Sequence, residues 1–422
     1  MPQPVPALEV GPLRLWTPVV LAPMAGVTDA PFRRLCRRFG EEGLPPDLRP
    51  VHEGGPALVD DTGAGRVAIP GVDAPAGLYV CEMVTSRALV EGNAETWRMV
   101  EPDATERVRS VQLYGVDPRT MARATQMLVE RDLVDHVDLN FGCPVPKVTR
   151  KGGGAALPWK RDLFADLVGA VVGAASRAGR ALGRDVPVTV KMRIGIDDDH
   201  ETFLDAARLA QGAGVAAVAL HARTQVQHYA GHAHWERIAE LKDALRIPVF
   251  GNGDVFSGED ARAMMECTGC DAVVVGRGCQ GRPWLFREVV RALHGEPRVA
   301  GPTLGEVGEV IERHARWQVA VMGDEGRALR EMRKHVGWYL RGFAVGGPAR
   351  HALGLVSSLA ELHERLGALD LTQPFPAAAE GPRGRAGGEK TPHLPEGWLD
   401  SPVLTDAERA QLHLAEVGVS GG

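Results

Sequence analysis

An α/β fold, a (β/α)8 TIM barrel followed by a C-terminal all-α helical bundle, is what this sequence predicts. Three observations predict it. Eight short apolar, β-branched runs recur between Val19 and Arg277. Stretches of helical periodicity separate them. After Gly301-Pro302 the strand-like runs stop and only helical periodicity continues.

The runs are Val19–Met24, Gly77–Met83, Val108–Tyr114, His136–Gly142, Val186–Met192, Val215–Ala222, Ile247–Gly253 and Asp271–Arg277. Near-continuous apolar character marks strands of a parallel sheet buried on both faces. Alternation with helices gives βα units. Eight such units close a barrel whose active site forms at the C-terminal strand ends. The helices between carry end signals. Asp117-Pro118 supplies an N-cap and a proline at N1 before a helix over Met121–Leu133. Ser257-Gly-Glu-Asp260 reads as a capping box with Asp in place of Glu. In the first helix Phe32, Leu35, Cys36 and Phe39 share one face, which leaves Arg33, Arg34, Arg37 and Arg38 on a solvated outer face.

Two Pro/Gly-rich stretches, 41–76 and 374–402, show no sustained period and read as loops or disorder. The first lies between a helix and a strand, which puts it on the N-terminal face of a barrel, away from the site. Leu304–Met322, Glu325–Gly342, Pro348–Leu369 and Asp406–Val417 read as helices. The expected organisation is a barrel domain over residues 1–300 and a helical domain over 303–422.

The composition bounds the function. A chain of 422 residues with 44% hydrophobic content can bury a full core. No apolar run approaches the ~18 residues of a membrane span, and Met-Pro-Gln-Pro-Val-Pro lacks the basic region and apolar core expected of a signal peptide. Six scattered cysteines read as reduced thiols of a cytoplasmic protein. No membrane association and no obligate protein partner are expected. With a net charge of −6, a nucleic-acid partner must be held by local patches. Cys267-Thr-Gly-Cys270 has metal-ligand spacing, but no second pair of ligands answers it, so no metal is expected.

The predicted strand ends carry the chemistry. They read Ala22-Pro-Met-Ala-Gly-Val-Thr-Asp29, Gln112, Asn140-Phe-Gly-Cys143-Pro, Lys191-Met-Arg193, His221-Ala-Arg-Thr224, Gly251-Asn-Gly-Asp254 and Gly276-Arg277-Gly278. Small and polar residues gathered at one end of a barrel describe a site. The last two loops have the glycines and the arginine of a phosphate cradle. Lys191 should project into the barrel mouth, where an ammonium wants an anionic or carbonyl partner; a salt bridge to a neighbouring strand's carboxylate is the alternative. Cys143 sits at a strand tip, followed by the basic glycine-rich loop Lys147-Val-Thr-Arg150-Lys151, which is either a substrate grip and lid or a solvated loop.

Taken together in this order, these motifs resemble those of the tRNA-dihydrouridine synthases, from about Gly11 to Leu369. The resemblance implies an FMN-dependent barrel with a helical tRNA-binding domain, reducing the C5–C6 bond of uridine in tRNA with NADPH. It implies FMN against Pro23, Met24, Ala25 and Gly26, with Gln112, Lys191 and His221 at the ring. Asn252, Gly253, Asp254, Gly276 and Arg277 would hold the phosphate end. Hydride would pass from flavin N5 to uracil C6, and Cys143, as a neutral thiol, would give the proton to C5. The uridine must be extruded from its stack to reach the site. Asn140, Lys147, Arg150 and Lys151 lie beside Cys143 as substrate contacts. Three departures stand out: Ala222 where Gly is common, Gln225 where the family usually has Arg, and the 41–76 stretch, which has no counterpart in most relatives. Two other readings share some of the residues: an FMN barrel acting on a small molecule, such as a dihydroorotate dehydrogenase, and a non-catalytic RNA-binding barrel.

The helical segment after Asp324 adds a basic stripe. Arg327, Arg330, Lys334, Trp338 and Arg341 fall within about 80° of one another on a helical wheel. Leu329, Met332, Val336, Leu340 and Phe343 gather opposite them and should face the core. From Arg313 to Arg350 eight Lys or Arg stand against three acids. A phosphate backbone is the partner that composition suggests; a solvated helix face is the alternative.

Overall fold

The computed structural model of the protein describes residues 4–51, 65–383 and 387–417. Parts of the two Pro/Gly-rich stretches, 52–64 and 384–386, lie outside the described residues.

Eight parallel strands close a barrel in chain order. They are β1 (Val19–Leu21), β2 (Leu78–Thr85), β3 (Ser110–Tyr114), β4 (His136–Phe141), β5 (Val188–Arg193), β6 (Ala217–His221), β7 (Val249–Asn252) and β8 (Ala272–Val275). Each falls within or at the edge of its expected run. Alternate residues of a strand face opposite sides. The lower interior is apolar, with Val20, Leu78, Val80, Ala219, Phe250 and Val274 in one buried cluster. The upper interior is polar, which places the site at the C-terminal end.

A hairpin that the sequence patterning does not reveal plugs the lower end. Leu8–Val10 pairs with Leu13–Leu15, and Asp73–Ala74 adds a third strand. Val10, Leu13 and Leu15 join the lower cluster, and Gly11 lies against Pro187 and Ala216, which lead into β5 and β6. Asp73 accepts from the Trp16 indole at 2.9 Å. The described part of 41–76 is thus anchored at the N-terminal end, on the expected side.

Helix Ala30–Gly43 starts at Asp29, whose carboxylate accepts from the Phe32 amide. The solvated arginine face expected for it is corrected. Arg33 and Arg37 are buried, and Arg33 pairs with buried Glu106 and donates to the Thr28 carbonyl at 2.9 Å. Arg34 lies 4.3 Å over the Trp317 ring. The loop carrying Asp103 and Glu106 and the helix carrying Trp317 fold over this face from far along the chain, so the local period could not show them. Asp117 caps helix Pro118–Glu130 as expected. Ser257 accepts from the Asp260 amide, but the Asp260 carboxylate accepts from Phe256 N–H at 2.8 Å, outside a strict capping box.

Beyond the barrel, helices Leu304–Met322 and Glu325–Tyr339 form as expected, while the third segment divides into Gly347–Leu353 and Leu359–Gly367. Ser358 caps the last of these. Their buried faces share a core with Leu35, Phe39 and Trp284 of the barrel.

The rest of the C-terminal region departs from expectation. Where described, 374–402 is ordered and runs back across the barrel, with Arg383 and Trp398 buried. Helix Asp406–Val417 packs on the barrel, not on the helical unit: Leu404 and Leu412 belong to the barrel core, and Glu408 pairs with Lys160. Its single anchors and backbone hydrogen bonds have no period, so the segment looks like a loop from the sequence. Among the described residues no helix is long and apolar enough to cross a membrane.

Candidate active site at the barrel mouth

A cavity of about 380 Å³ opens among the C-terminal strand ends. Of the residues the sequence singles out, Pro23, Met24, Ala25, Gln112, Asn140, Cys143, Lys191, His221, Asn252, Gly253, Asp254, Gly276 and Arg277 line it.

Cys143 follows the tip of β4 and is held from both sides. Its amide and that of Gly142 donate to the Asn140 side-chain oxygen, at 2.9 and 3.0 Å. Its carbonyl accepts from the Ala155 amide at 3.0 Å. Gly154, at φ +56°, makes this turn possible, since a Cβ there would meet the Cys143 carbonyl at 2.4 Å. Burial pushes the Cys143 thiol up, against the Val145 amide and the cations Arg193 and Lys191. That direction favours the neutral S–H over the thiolate at neutral pH.

Asn140 is itself aimed by a chain of hydrogen bonds through the barrel. Its amide donates to Gln112 Oε1 at 2.8 Å, and Gln112 Nε2 donates to Asp138 at 2.7 Å. Thr189 donates to the other Asp138 oxygen at 2.6 Å. That uses the Thr189 proton, so His136 Nε2, at 2.9 Å, must be the N–H that donates to Thr189. His136 Nδ1 then accepts from Ser110 at 2.7 Å. Burial holds His136 at about 3, hence neutral, and raises Asp138 to about 6. Asp138 thus fixes which way the Gln112 amide points, and Gln112 fixes Asn140. The sequence analysis passed over Asp138. The signal was available: in His136-Val-Asp-Leu-Asn140 it shares the period-2 face of Asn140.

Lys191 faces Asn140 across the β4–β5 pair. Burial first, then the neighbouring Arg193, pulls its ammonium down to about 8, against Asp138 and Cys143. It forms no salt bridge among the described residues, so the alternative reading of a strand-to-strand ion pair is not what the structure shows. Arg193, also passed over, donates to the carbonyls of Gly142, Thr224 and His228, each at 2.9 Å. It locks the Cys143 turn to the loop after β6. His221 is buried among cations, and burial drives its proton affinity well below the ordinary histidine range.

At the opposite wall stand the glycine-rich ends of β7 and β8. Asn252 donates to the Val274 carbonyl at 2.8 Å, tying the two strands. Asp254 turns both oxygens to Arg223, at 2.8 Å each, and accepts from the Ala233 amide. It acts on its neighbours' arginines: Arg277 is also 3.7 Å from it, and stacks 4.2 Å over Tyr229. Arg223 Nη1 is buried without a hydrogen-bond partner. Tyr229 lines the cavity and was not singled out.

Other expected contacts lie outside the cavity. Gly26 is exposed, its amide donating to Glu82 at 2.7 Å, and Lys334 of the helical unit comes within 3.4 Å of where its Cβ would be. Lys147 and Arg150 are exposed and Lys151 half-buried on the rim beyond Cys143. On helix Glu325–Tyr339 and the turn that follows it, Leu329, Met332, Val336, Leu340 and Phe343 are buried in the core, as patterned. Arg327, Arg330 and Arg341 are exposed, and Lys334 pairs with Glu331 at 2.8 Å. Trp338 departs from the exposed stripe: it is half-buried, pressed on Gly281. Among the described residues no cluster could hold a metal ion, Cys267 and Cys270 included.

The sequence model described as Dihydrouridine synthase (Dus) matches residues 20–373 of this chain. A probable tRNA-dihydrouridine synthase of Mycobacterium tuberculosis is 50% identical over 401 residues, 95% of this chain and 94% of its own. Its counterpart from Mycobacterium leprae is 51% identical over 390 residues, covering 91% and 96%. The tRNA-dihydrouridine synthase B of Pseudomonas aeruginosa is 39% identical over 333 residues, covering 79% and 86%.

Proposed function

From the premise that the chain belongs to the dihydrouridine synthase family, we propose how its site forms dihydrouridine in tRNA and which groups do the work. The protein is a tRNA-dihydrouridine synthase, an oxidoreductase. The cofactor is FMN, the reductant NADPH and the setting cytoplasmic.

The donor set fits FMN. A flat ring with carbonyl edges suits the wall of Pro23, Met24 and Ala25 with Gln112 and Lys191 facing it. A phosphate suits the glycine ends of β7 and β8, where Arg277 lines the cavity and the unpartnered Arg223 Nη1 lies buried beside Gly253. A flavin bound there would supply hydride for uracil C6. Lys191 offsets negative charge at the ring edge. Asn140, aimed by Gln112 and Asp138, holds the turn that carries Cys143. The Cys143 S–H bond then breaks as its proton goes to uracil C5. Arg193 and the Ala155 amide keep that sulfur over the cavity.

The observation that carries this reading is a raised, proton-bearing thiol fixed at the mouth of the cavity that Lys191 lines. A small-molecule dehydrogenase would need the same cradle, but not the rim of Lys147, Arg150 and Lys151 or the exposed Arg330 and Arg341. These basic groups, with Lys334, are the proposed grip on the RNA backbone of the helical unit and barrel rim together. The test is NADPH oxidation by the purified protein. We expect it to be driven by tRNA lacking dihydrouridine and not by free uridine or dihydroorotate. Oxidation driven equally by the small molecules would overturn the reading.

A further inference from the structure

The chain from Arg383 to Leu412 lies beyond the region matched by the family, which ends at residue 373. It nevertheless holds three of the loops around the cavity mouth. Buried Arg383 donates to the carbonyls of Ala379, Gln280 and Trp338, at 3.1, 3.2 and 2.7 Å. This ties the helical unit to the loop after β8. The Lys390 amide donates to Val226, in the loop after β6, at 2.8 Å. Trp398 is pressed on Gly152, where an added Cβ would lie 2.5 Å from the ring, and its indole N–H donates to the Ala156 carbonyl at 2.9 Å.

Between Gly152 and Ala156 lie Gly154, packed on Cys143, and Ala155, whose amide holds the Cys143 carbonyl. Trp398 therefore grips the same short turn that grips the thiol residue. The strap is fastened beyond it as well. Lys160 is fully buried, and its ammonium donates to the Ser401 carbonyl at 2.9 Å and to Glu408 at 2.7 Å. Undocking would take from that ammonium both of these partners and the Trp398 ring 4.9 Å away, so three contacts made by the segment itself hold it down beside the site.

Resting on the reading of Cys143 as proton donor, we propose that Arg383 and residues 387–412 form a strap that clamps the catalytic turn, with Trp398 as a positioning residue for proton transfer. Without the indole, a void opens beside Gly152 and the Ala156 carbonyl loses its donor. The Gly152–Ala156 turn loosens, and Cys143 loses the Ala155 restraint on its carbonyl, keeping only the one on its amide.

The test compares Trp398→Ala and Trp398→Phe with the wild type as full-length, flavin-loaded protein. Three quantities are read: iodoacetamide labelling of Cys143 relative to exposed Cys267, flavin reduction by NADPH, and single-turnover reduction of tRNA. For Trp398→Ala we expect faster relative labelling of Cys143 and unchanged flavin reduction. The tRNA step should slow by ~10²-fold, the scale for a reacting group displaced by about 1 Å. Trp398→Phe, which keeps a ring on Gly152 but no N–H, should fall between. An unchanged labelling ratio, or equal losses in both half-reactions, would overturn the proposal in favour of a general brace. If Trp398→Ala does not accumulate as folded protein, Trp398→Phe decides by the same readouts. A wild type that reduces no tRNA would defeat the functional reading, while the labelling ratio would still judge the strap.

Discussion

Replacing Lys191 with methionine should make the flavin-free protein more stable and the enzyme worse. The ammonium is half-buried beside Arg193, and its proton affinity falls from the ordinary 10.5 to about 8. At about 1.4 kcal/mol per tenfold change in proton affinity, that difference bounds the cost of keeping Lys191 charged at about 3 kcal/mol. Water in the open cavity reduces it, so about 1–3 kcal/mol is expected. The sign follows from linkage. A basic group with a lowered folded-state affinity binds more protons when unfolded, so wild-type stability rises with pH between about 8 and 10.5. Below about 8 the cost is fully present. Methionine of similar length removes it without a large void. Denaturant unfolding of flavin-free protein should therefore show Lys191→Met ahead of wild type at about pH 7, with the gap closing between about pH 8 and pH 10.5. With FMN saturating, the same variant should be reduced more slowly by NADPH, because the charge that offsets the ring is gone. A variant less stable than wild type at neutral pH would show that the ammonium is paired and would refute the reasoning.

Three further outcomes are expected. Cys143→Ala should keep FMN and its reduction by NADPH but lose tRNA reduction by ~10²-fold or more in single turnover; in the wild type the tRNA step should stay level through neutral pH and fall only as pH rises through the raised thiol range. Asp138→Ala leaves the Gln112 amide and the Thr189 hydroxyl without their acceptor. It should cost about 1–3 kcal/mol for each buried donor in urea unfolding, and slow tRNA reduction because Gln112 no longer aims Asn140. Reversing Arg330 and Lys334 to Glu should weaken tRNA binding and flatten its salt dependence by about 1–2 in log–log slope, with flavin reduction normal. The Glu331 partner already shields Lys334, so the smaller value fits better.

The barrel was legible because its signals are local. Each strand from Val19–Leu21 to Ala272–Val275 is an apolar run long enough to read by itself, and the site follows once the strand ends are known. That Cys143 and the glycine-rich ends of β7 and β8 would line one cavity was readable from residue type and place for the same reason. What stayed hidden depends on contacts between distant segments. Arg33 and Arg37 read as solvated until Glu106 and Asp103 folded over them. Trp338 fell on the basic stripe of the wheel, yet Gly281 covers it. The strap reads as a loop because Trp398 and Lys160 are single anchors, 238 positions apart in the chain, joined by a 4.9 Å cation–π contact. Asp138 is the exception, a residue that strand alternation alone points into the barrel.

The central claim is that this chain reduces uridine in tRNA with Cys143 as the proton source. Mass-spectrometric mapping of tRNA after incubation with the purified protein, FMN and NADPH in deuterated water tests it most directly. The account predicts dihydrouridine at defined positions with solvent deuterium at C5, and its loss with Cys143→Ala at matched flavin content. Unmodified tRNA from the wild type, or equal dihydrouridine from the Cys143→Ala protein, would contradict it.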